Sequence, residues 1–221
     1  MPSNAPSYGT PNYAMLKGWL ELAPDADQPF WAVNLMKYRD VADYGDGSEI
    51  RTGKEADDAY APLESLAAIG AQPVFFGDVV HQPLGAPEWD RVGIVRYPTH
   101  RSFLEMQRRD DFQKQHVHKE AGMEFTIVMA CRPDALATPQ PPGTQVVMTV
   151  ERGNRHSAAS IANLTVEGVI IGDDRTFDIV RFDRATDDAA VSAIVDAAKA
   201  ADEAHVMVVE PRIDILAESL A

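Results

Sequence analysis

Three histidines and one asparagine stand where their chemistry could be used. His118 lies near the end of the helical stretch DDFQKQHVHKEAG, and an imidazole that titrates near neutrality suits proton transfer at pH 7. The same place equally suits a surface histidine held by the negative end of a helix dipole. His116, two residues earlier, projects from a different helical face. A His116–His118 metal pair would need extended backbone and a third ligand that the sequence does not supply, so no metal site is expected. His81 closes PVFFGDVVHQ on the face that alternation shares with Phe75, Gly77 and Val79. It is either a general base at the rim of an apolar strand or a strand-end residue wetted by solvent. Asn34 interrupts the apolar run FWAVNLMKY. A buried amide without partners costs about 1–3 kcal/mol, so Asn34 must meet either a substrate enolate or phenolate oxygen or a nearby loop backbone. Tyr38 shares its face, and Lys37 and Tyr38 mark the mouth of the strand, where an ammonium or a phenol could orient a polar substrate.

Arg96 falls in a valine-rich strand on the face of Asp90. It reads either as a bidentate clamp for a substrate carboxylate or as a structural ion pair, the reading favoured by an arginine, Arg181, in the corresponding strand further on. Cys131 has apolar neighbours and no cation beside it, the setting of an inert thiol. No GxGxxG, GxxxxGK[ST] or GxSxG motif is present, so nucleotide binding and serine hydrolysis gain no support. The acidic run Asp43 to Glu49 lacks calcium-loop spacing and reads as a solvated loop or a lid.

The elements that must hold these residues follow from patterning. The 221 residues carry a net charge of -14, which disfavours nucleic acid and anionic lipid as partners. No apolar run spans a membrane and the start lacks a signal peptide, so a cytoplasmic protein is expected. Ala137 to Gly143 (ATPQPPG) is a stiff connection between two parts that each carry -7. A leader (1–28) contains a short helix with Thr10 as cap and Pro11 at its first position. Residues 29–136 then read β-α-β-β-α-β: a strand at Phe30 to Tyr38, a helix from Thr52 to Ile69 broken at Pro62, strands in PVFFGDVVHQ and WDRVGIVRY, two helical pieces and the strand FTIVMACR. Residues 144–221 repeat that order more briefly, with a short helix at best in RHSAASIAN and an alanine-rich one from Asp187 to Ala204. WDRVGIVRYPTHRSFL can be laid over FDIVRFDRATDDAAV, and IVMACRPD over VMVVEPRID. The fold expected is α+β, two tandem βαββαβ modules with antiparallel sheets.

The stretch from Pro29 to Arg132 resembles the ferredoxin-like modules of the dimeric α/β-barrel superfamily, most of all an uncharacterised bacterial family of small cytoplasmic proteins. The likeness rests on Asn34 to Tyr38, Thr52 to Ala56, Glu88-Trp89-Asp90, Arg96-Tyr97-Pro98, Phe103-Leu104, Asp111-Phe112-Gln113, His118 and Ala121-Gly122. It implies two sheets packed face to face into a barrel, usually from two chains, with a cavity between each sheet and its helices. Relatives include cofactor-independent monooxygenases, polyketide cyclases, muconolactone isomerase, ether-degradation proteins and haem-dependent chlorite dismutases, so the resemblance leaves the chemistry open. This chain departs in carrying both modules, and its second module lacks counterparts of Asn34, His81 and His118. A pseudo-dimer with one working cavity is expected. The function implied is acid/base chemistry without a cofactor on a carbonyl-bearing or aromatic metabolite. His118 or His81 would be the base, Asn34 and Tyr38 would stabilise an oxyanion, and Lys37, Arg96, Trp89 and Phe75 would contact substrate. A ligand-binding module without catalysis, or a haem-binding relative, are the alternatives, and a homodimer through the barrel modules is a further expectation.

Overall fold

The computed structural model describes residues 6–45, 47, 51–60, 62–135, 145–153 and 161–220. The chain enters through a two-residue strand β1 (Thr10–Pro11) and helix α1 (Tyr13–Glu21). Thr10 and Pro11 do not open the helix as expected. They pair with Gly172 and Ile171, and Asn12 N donates to Ile170 O at 2.8 Å, so sheet pairing keeps the backbone extended up to Asn12. Asn12 is the cap instead, its side chain accepting from Met15 N at 3.1 Å.

Strand β2 (Phe30–Tyr38) follows, then α2 (Gly53–Ala59), α3 (Leu63–Ala68), β3 (Gln72–Leu84), β4 (Arg91–Tyr97), α4 (His100–Met106), α5 (Asp110–Gly122) and β5 (Met123–Ala135). Pro62 divides α2 from α3, as a residue without a backbone N–H should. Capping boxes at Thr52 and Thr99 start α2 and α4. Past the connection come β6 (Gln145–Arg152), β7 (Ala162–Gly172), β8 (Ile179–Ala185), α6 (Asp188–Ala198), β9 (Glu203–Asp214) and α7 (Leu216–Ser219). The linker at 137–143 lies outside the described residues, as does most of RHSAASIAN, whose last two residues form the start of β7. Helix α6 stops at Ala198, short of Ala204, because Glu203 and Ala204 are drawn into the ladder with Arg152 and Glu151. Alanine's helix preference of a few tenths of a kcal/mol per residue yields to that pairing.

The strands form one antiparallel sheet in the order β7-β5-β2-β4-β3-β9-β6-β8, and β8 returns to β7, so eight strands close a barrel with β1 as an outer addition. Closure removes the exposed edges that a four-stranded layer would leave on each half. Counted within its own half, each set of four strands lies in the order fourth, first, third, second. The halves meet along β3–β9 and β5–β7. Alternation sends Trp31, Val33 and Leu35 of β2 inward, where they meet Ile94, Met129, Met148, Phe182 and Met207 in a solid core. Phe30 and Ala32 point outward, under the helices.

One local device recurs. Asp90 N donates to Met36 O, and its side chain accepts from Tyr38 N at 2.7 Å. Asp178 N donates to Glu151 O, and its side chain accepts from Gly153 N at 2.7 Å. Each aspartate ties the start of a third strand to the end of a first one. The register equates Met36 with Glu151 and Gly93 with Arg181, and it makes Arg184, not Arg181, the counterpart of Arg96.

Because the core is shared, Phe182→Ala should cost about 3–5 kcal/mol and destabilise both halves together. In urea, tryptophan fluorescence, which reports only the leader and the first half (Trp19, Trp31, Trp89), should move with far-ultraviolet circular dichroism in one transition. Two separated transitions would contradict a shared core.

Candidate functional site

A cavity of about 250 Å³ lies between the outer face of the first half's sheet and helices α2 to α5. That is just below the usual range for small-molecule sites, about 300–1,000 Å³. Its floor is made by short side chains. Asn34 stands between Gly93 and Val128 in the ladder, and Ala32 lies two residues before it on the same face. Gly93 has most to do with the opening. A Cβ there would lie 3.3 Å from Met36 Cε and 3.4 Å from Phe76 Cδ2, and anything longer would have to occupy the hollow. In the second half the matching position is Arg181, 5% exposed, its guanidinium bonded to Glu151 at 3.3 Å and Asp183 at 3.1 Å. A buried ion cluster fills there what glycine leaves empty here.

One wall is the face of α5 that carries Phe112, His116 and Lys119, spaced by four and three residues. His116 Nε2 is 3.1 Å from the Tyr8 hydroxyl, and its Nδ1 is buried without a hydrogen-bond partner. Burial, reinforced by the charge of Lys119, pushes its pKa down to about 4, so the ring is neutral at pH 7. Lys119 Nζ lies 5.5 Å from the ring centre of Tyr8 and 5.6 Å from that of Tyr60. Lys17, Lys37, Lys54 and Lys199 each have a carboxylate within 4.0 Å, whereas Lys119 and the exposed Lys114 have none among the described residues. Burial lowers its pKa, partly offset by Asp57 and Glu120. Burial also raises the phenols of Tyr8 and Tyr60, which stay protonated.

Asn34 Nδ2 donates to Ala32 O at 3.2 Å and to Gly93 O at 3.4 Å. Its donors are thus used on strand carbonyls, not on the loop backbone, and Oδ1 is the atom left to accept from a ligand. The far end of the cavity is apolar, lined by Tyr97, Phe103 and Met106. Around the mouth stand the exposed Leu63 and Ile213. Ile171 of β7 and Ile213 of β9 bring the second half into the lining, and Tyr8 brings in the leader.

Beside the cavity a fully buried Arg91 holds three carboxylates: Asp57 at 2.9 Å, Asp58 at 2.8 Å and Asp78 at 2.8 Å. The Tyr38 hydroxyl donates to Asp57 at 2.6 Å, Lys54 reaches Asp78 at 3.0 Å, and Arg212 of β9 reaches Asp78 at 2.7 Å. Tyr38 and these carboxylates therefore brace α2 against the sheet. Burial alone would raise the Asp78 carboxyl, but hydrogen bonds from Arg91 and Lys54 outweigh it and hold its pKa at about 2.

Of the residues singled out from sequence, Asn34 and Phe75 line the cavity. His118 does not: it faces away, its Nδ1 2.8 Å from the Tyr44 hydroxyl. Two residues along a helix turn a side chain by about 200°, which puts His116 in the wall and His118 outside it. His81 is exposed and lies in a groove against α6, because the register with β9 slips between Val79 and His81 and breaks the alternation. Lys37 falls on the barrel-side face of β2 with Val33 and Leu35, 4.0 Å from Glu124, and does not line the cavity. Arg96 lies over the Trp31 ring on the barrel side, and Asp90 is the tie described above, not its partner. Trp89 is buried, its Nε1 donating to His205 Nδ1 at 3.3 Å, and does not cover the mouth. Cys131 is buried and burial raises its thiol pKa, in keeping with an inert side chain. No described helix is long and apolar enough to cross a membrane.

No protein-family model matches the chain, and no curated protein matches it. Among solved structures, the methylated RPA0582 protein superposes with a TM-score of 0.50 at 24% identity, covering 63% of this chain and 99% of its own. A second structure of RPA0582, a protein of unknown function from Rhodopseudomonas palustris, gives 0.46 at 25% identity over 59% and 92% of the two chains. A protein from Lactobacillus acidophilus described provisionally as a monooxygenase gives 0.42 at 12% identity over 84% and 94%. The first likeness speaks for the fold, and none of the three speaks for the chemistry.

The charge network sets a pH dependence. A carboxyl held below its ordinary 3.8 stabilises fully above that value, and the contribution is lost as pH falls towards about 2. Asp78→Asn should start less stable at pH 6 yet lose less between pH 4 and 2 than the parent, as read from urea midpoints. Parallel losses in the two proteins would show that Arg91 and Lys54 do not hold this carboxylate.

Proposed function

We propose that the chain is an enzyme acting on a small, largely apolar molecule that carries a carbonyl or phenolic oxygen, and that its reaction is proton transfer at the carbon next to that oxygen. The observation that carries this reading is the pairing of His116 and Lys119 on one face of α5 against an apolar cavity, with His116 Nδ1 buried and unpartnered and no described carboxylate within 4.0 Å of Lys119, while Glu120 stands 4.0 Å from His116 Nε2. The ammonium of Lys119 attracts the oxygen, Asn34 Oδ1 accepts from a hydroxyl on the ligand, and Tyr97, Phe103 and Met106 bury its body. His116 takes the proton. A base with a pKa of about 4 is weak, so it serves only for a C–H acidified by the cation beside the oxygen.

We infer as well that the two halves are copies of one ferredoxin-like unit of the dimeric α/β-barrel kind, the second having kept the scaffold and lost the hollow. The shared strand order, the Asp90 and Asp178 ties and the exchange of Gly93 for Arg181 support it.

Hydrogen exchange tests this whatever the final product is. A panel of small aromatic and aliphatic ketones in D₂O, followed by proton NMR, should show exchange of the C–H next to the carbonyl faster than in buffer for at least one member. His116→Phe should slow it about 10²–10⁴-fold, the usual size of general acid–base effects. Gly93→Leu, which plugs the cavity, should abolish it with the circular dichroism unchanged. Saturable binding without exchange would leave a binding module, and exchange that survives Gly93→Leu would place the chemistry elsewhere.

A further inference from the structure

Lys119 has a second capacity that electrostatic attraction does not use. It is the one lysine in the cavity wall, its nitrogen set between two phenol rings with no described carboxylate within 4.0 Å. His116 is one turn back on the same helical face, with a buried nitrogen that has no partner. We propose that Lys119 is a nucleophile that condenses with an aldehyde or ketone in this cavity to form an imine. This rests on the cavity reading above and makes covalent the activation there assigned to charge.

The step balances within the site. Lys119 first gives one proton to solvent. The Nζ lone pair attacks the carbonyl carbon and the C–O π pair moves to oxygen. Both remaining amine protons pass to that oxygen, which leaves as water when the C–O bond breaks and C=N forms. Nothing is oxidised or reduced. With Nε2–H donating to the Tyr8 oxygen, His116 keeps its lone pair on Nδ1, which takes one of those two protons from the nitrogen and passes it to the departing oxygen. Desolvation favours the uncharged amine, the usual route to a reactive lysine in an apolar pocket. Protonated, the imine nitrogen draws electrons from the adjacent C–H more strongly than a nearby ammonium, which is what a base as weak as His116 requires.

Benzaldehyde with sodium cyanoborohydride tests this on the intact protein, since hydride reduces an imine to a stable secondary amine that peptide mass spectrometry can place. Lys119 should be benzylated faster than any other lysine, because burial favours its uncharged amine. The labelling should saturate with benzaldehyde, fall to background in Gly93→Leu and vanish at that position in Lys119→Arg. Binding of benzaldehyde without reductant, followed by NMR in the same proteins, separates the two readings. Binding that Gly93→Leu abolishes, without preferential labelling, would keep the cavity and overturn the imine. No cavity binding at all would overturn both. Labelling spread evenly over the surface lysines would overturn the imine whatever the binding shows.

Discussion

The structure depends on each four-stranded layer hiding its inner face against the other. Trp31, Val33 and Leu35 from one half and Met148, Phe182 and Met207 from the other bury one another inside a closed ring of hydrogen bonds. At roughly 25 cal/mol per Å² of apolar surface removed from water, that interior supplies most of what opposes chain entropy. The outer face of the sheet is thereby released from the need to pack solidly. A hollow between sheet and helices is a cost of a few kcal/mol that the barrel can carry.

The two halves use that freedom differently. Over β4 the missing side chain of Gly93 leaves room for a ligand, and over β8 Arg181 fills the matching place with Glu151 and Asp183. Second-half and leader residues, Ile171, Ile213 and Tyr8, still line the first half's cavity, so the site is a property of the whole barrel. Arg91 and its three aspartates keep α2 in place beside it, and Arg212 ties β9 into the same network.

Much of the scaffold was legible in the sequence. The aromatic and β-branched run from Phe30 to Tyr38 is β2 to the residue, DDFQKQHVHKEAG is α5 to the residue, and Pro62 splits its helix where its lacking N–H says it must. The misreadings arose where a distant partner decides. Thr10 and Pro11 looked like a helix start until β7 claimed them, and the alanines after Ala198 looked helical until β6 drew the chain into β9. Among site residues, Asn34 could be found because it breaks an apolar strand. His116 was weighed only as half of a metal pair and Lys119 was passed over, although Phe112, His116 and Lys119 share a four-and-three spacing, a signal that points to one helical face. Weighing His118 by its position near a helix end drew attention to the wrong side of α5. Nothing local announced that Trp89 would turn to His205 or that a slip after Val79 would carry His81 away.

The central claim, that the first half encloses a real hollow over Gly93, is tested most directly by a crystal structure under xenon pressure. Xenon settles in apolar cavities without needing a specific chemical partner. Density is expected above Ala32, Asn34 and Gly93, near Phe103 and Met106, and none in that place for Gly93→Leu. A parent structure in which helices α2 to α5 close down on the sheet and no xenon binds there would contradict it.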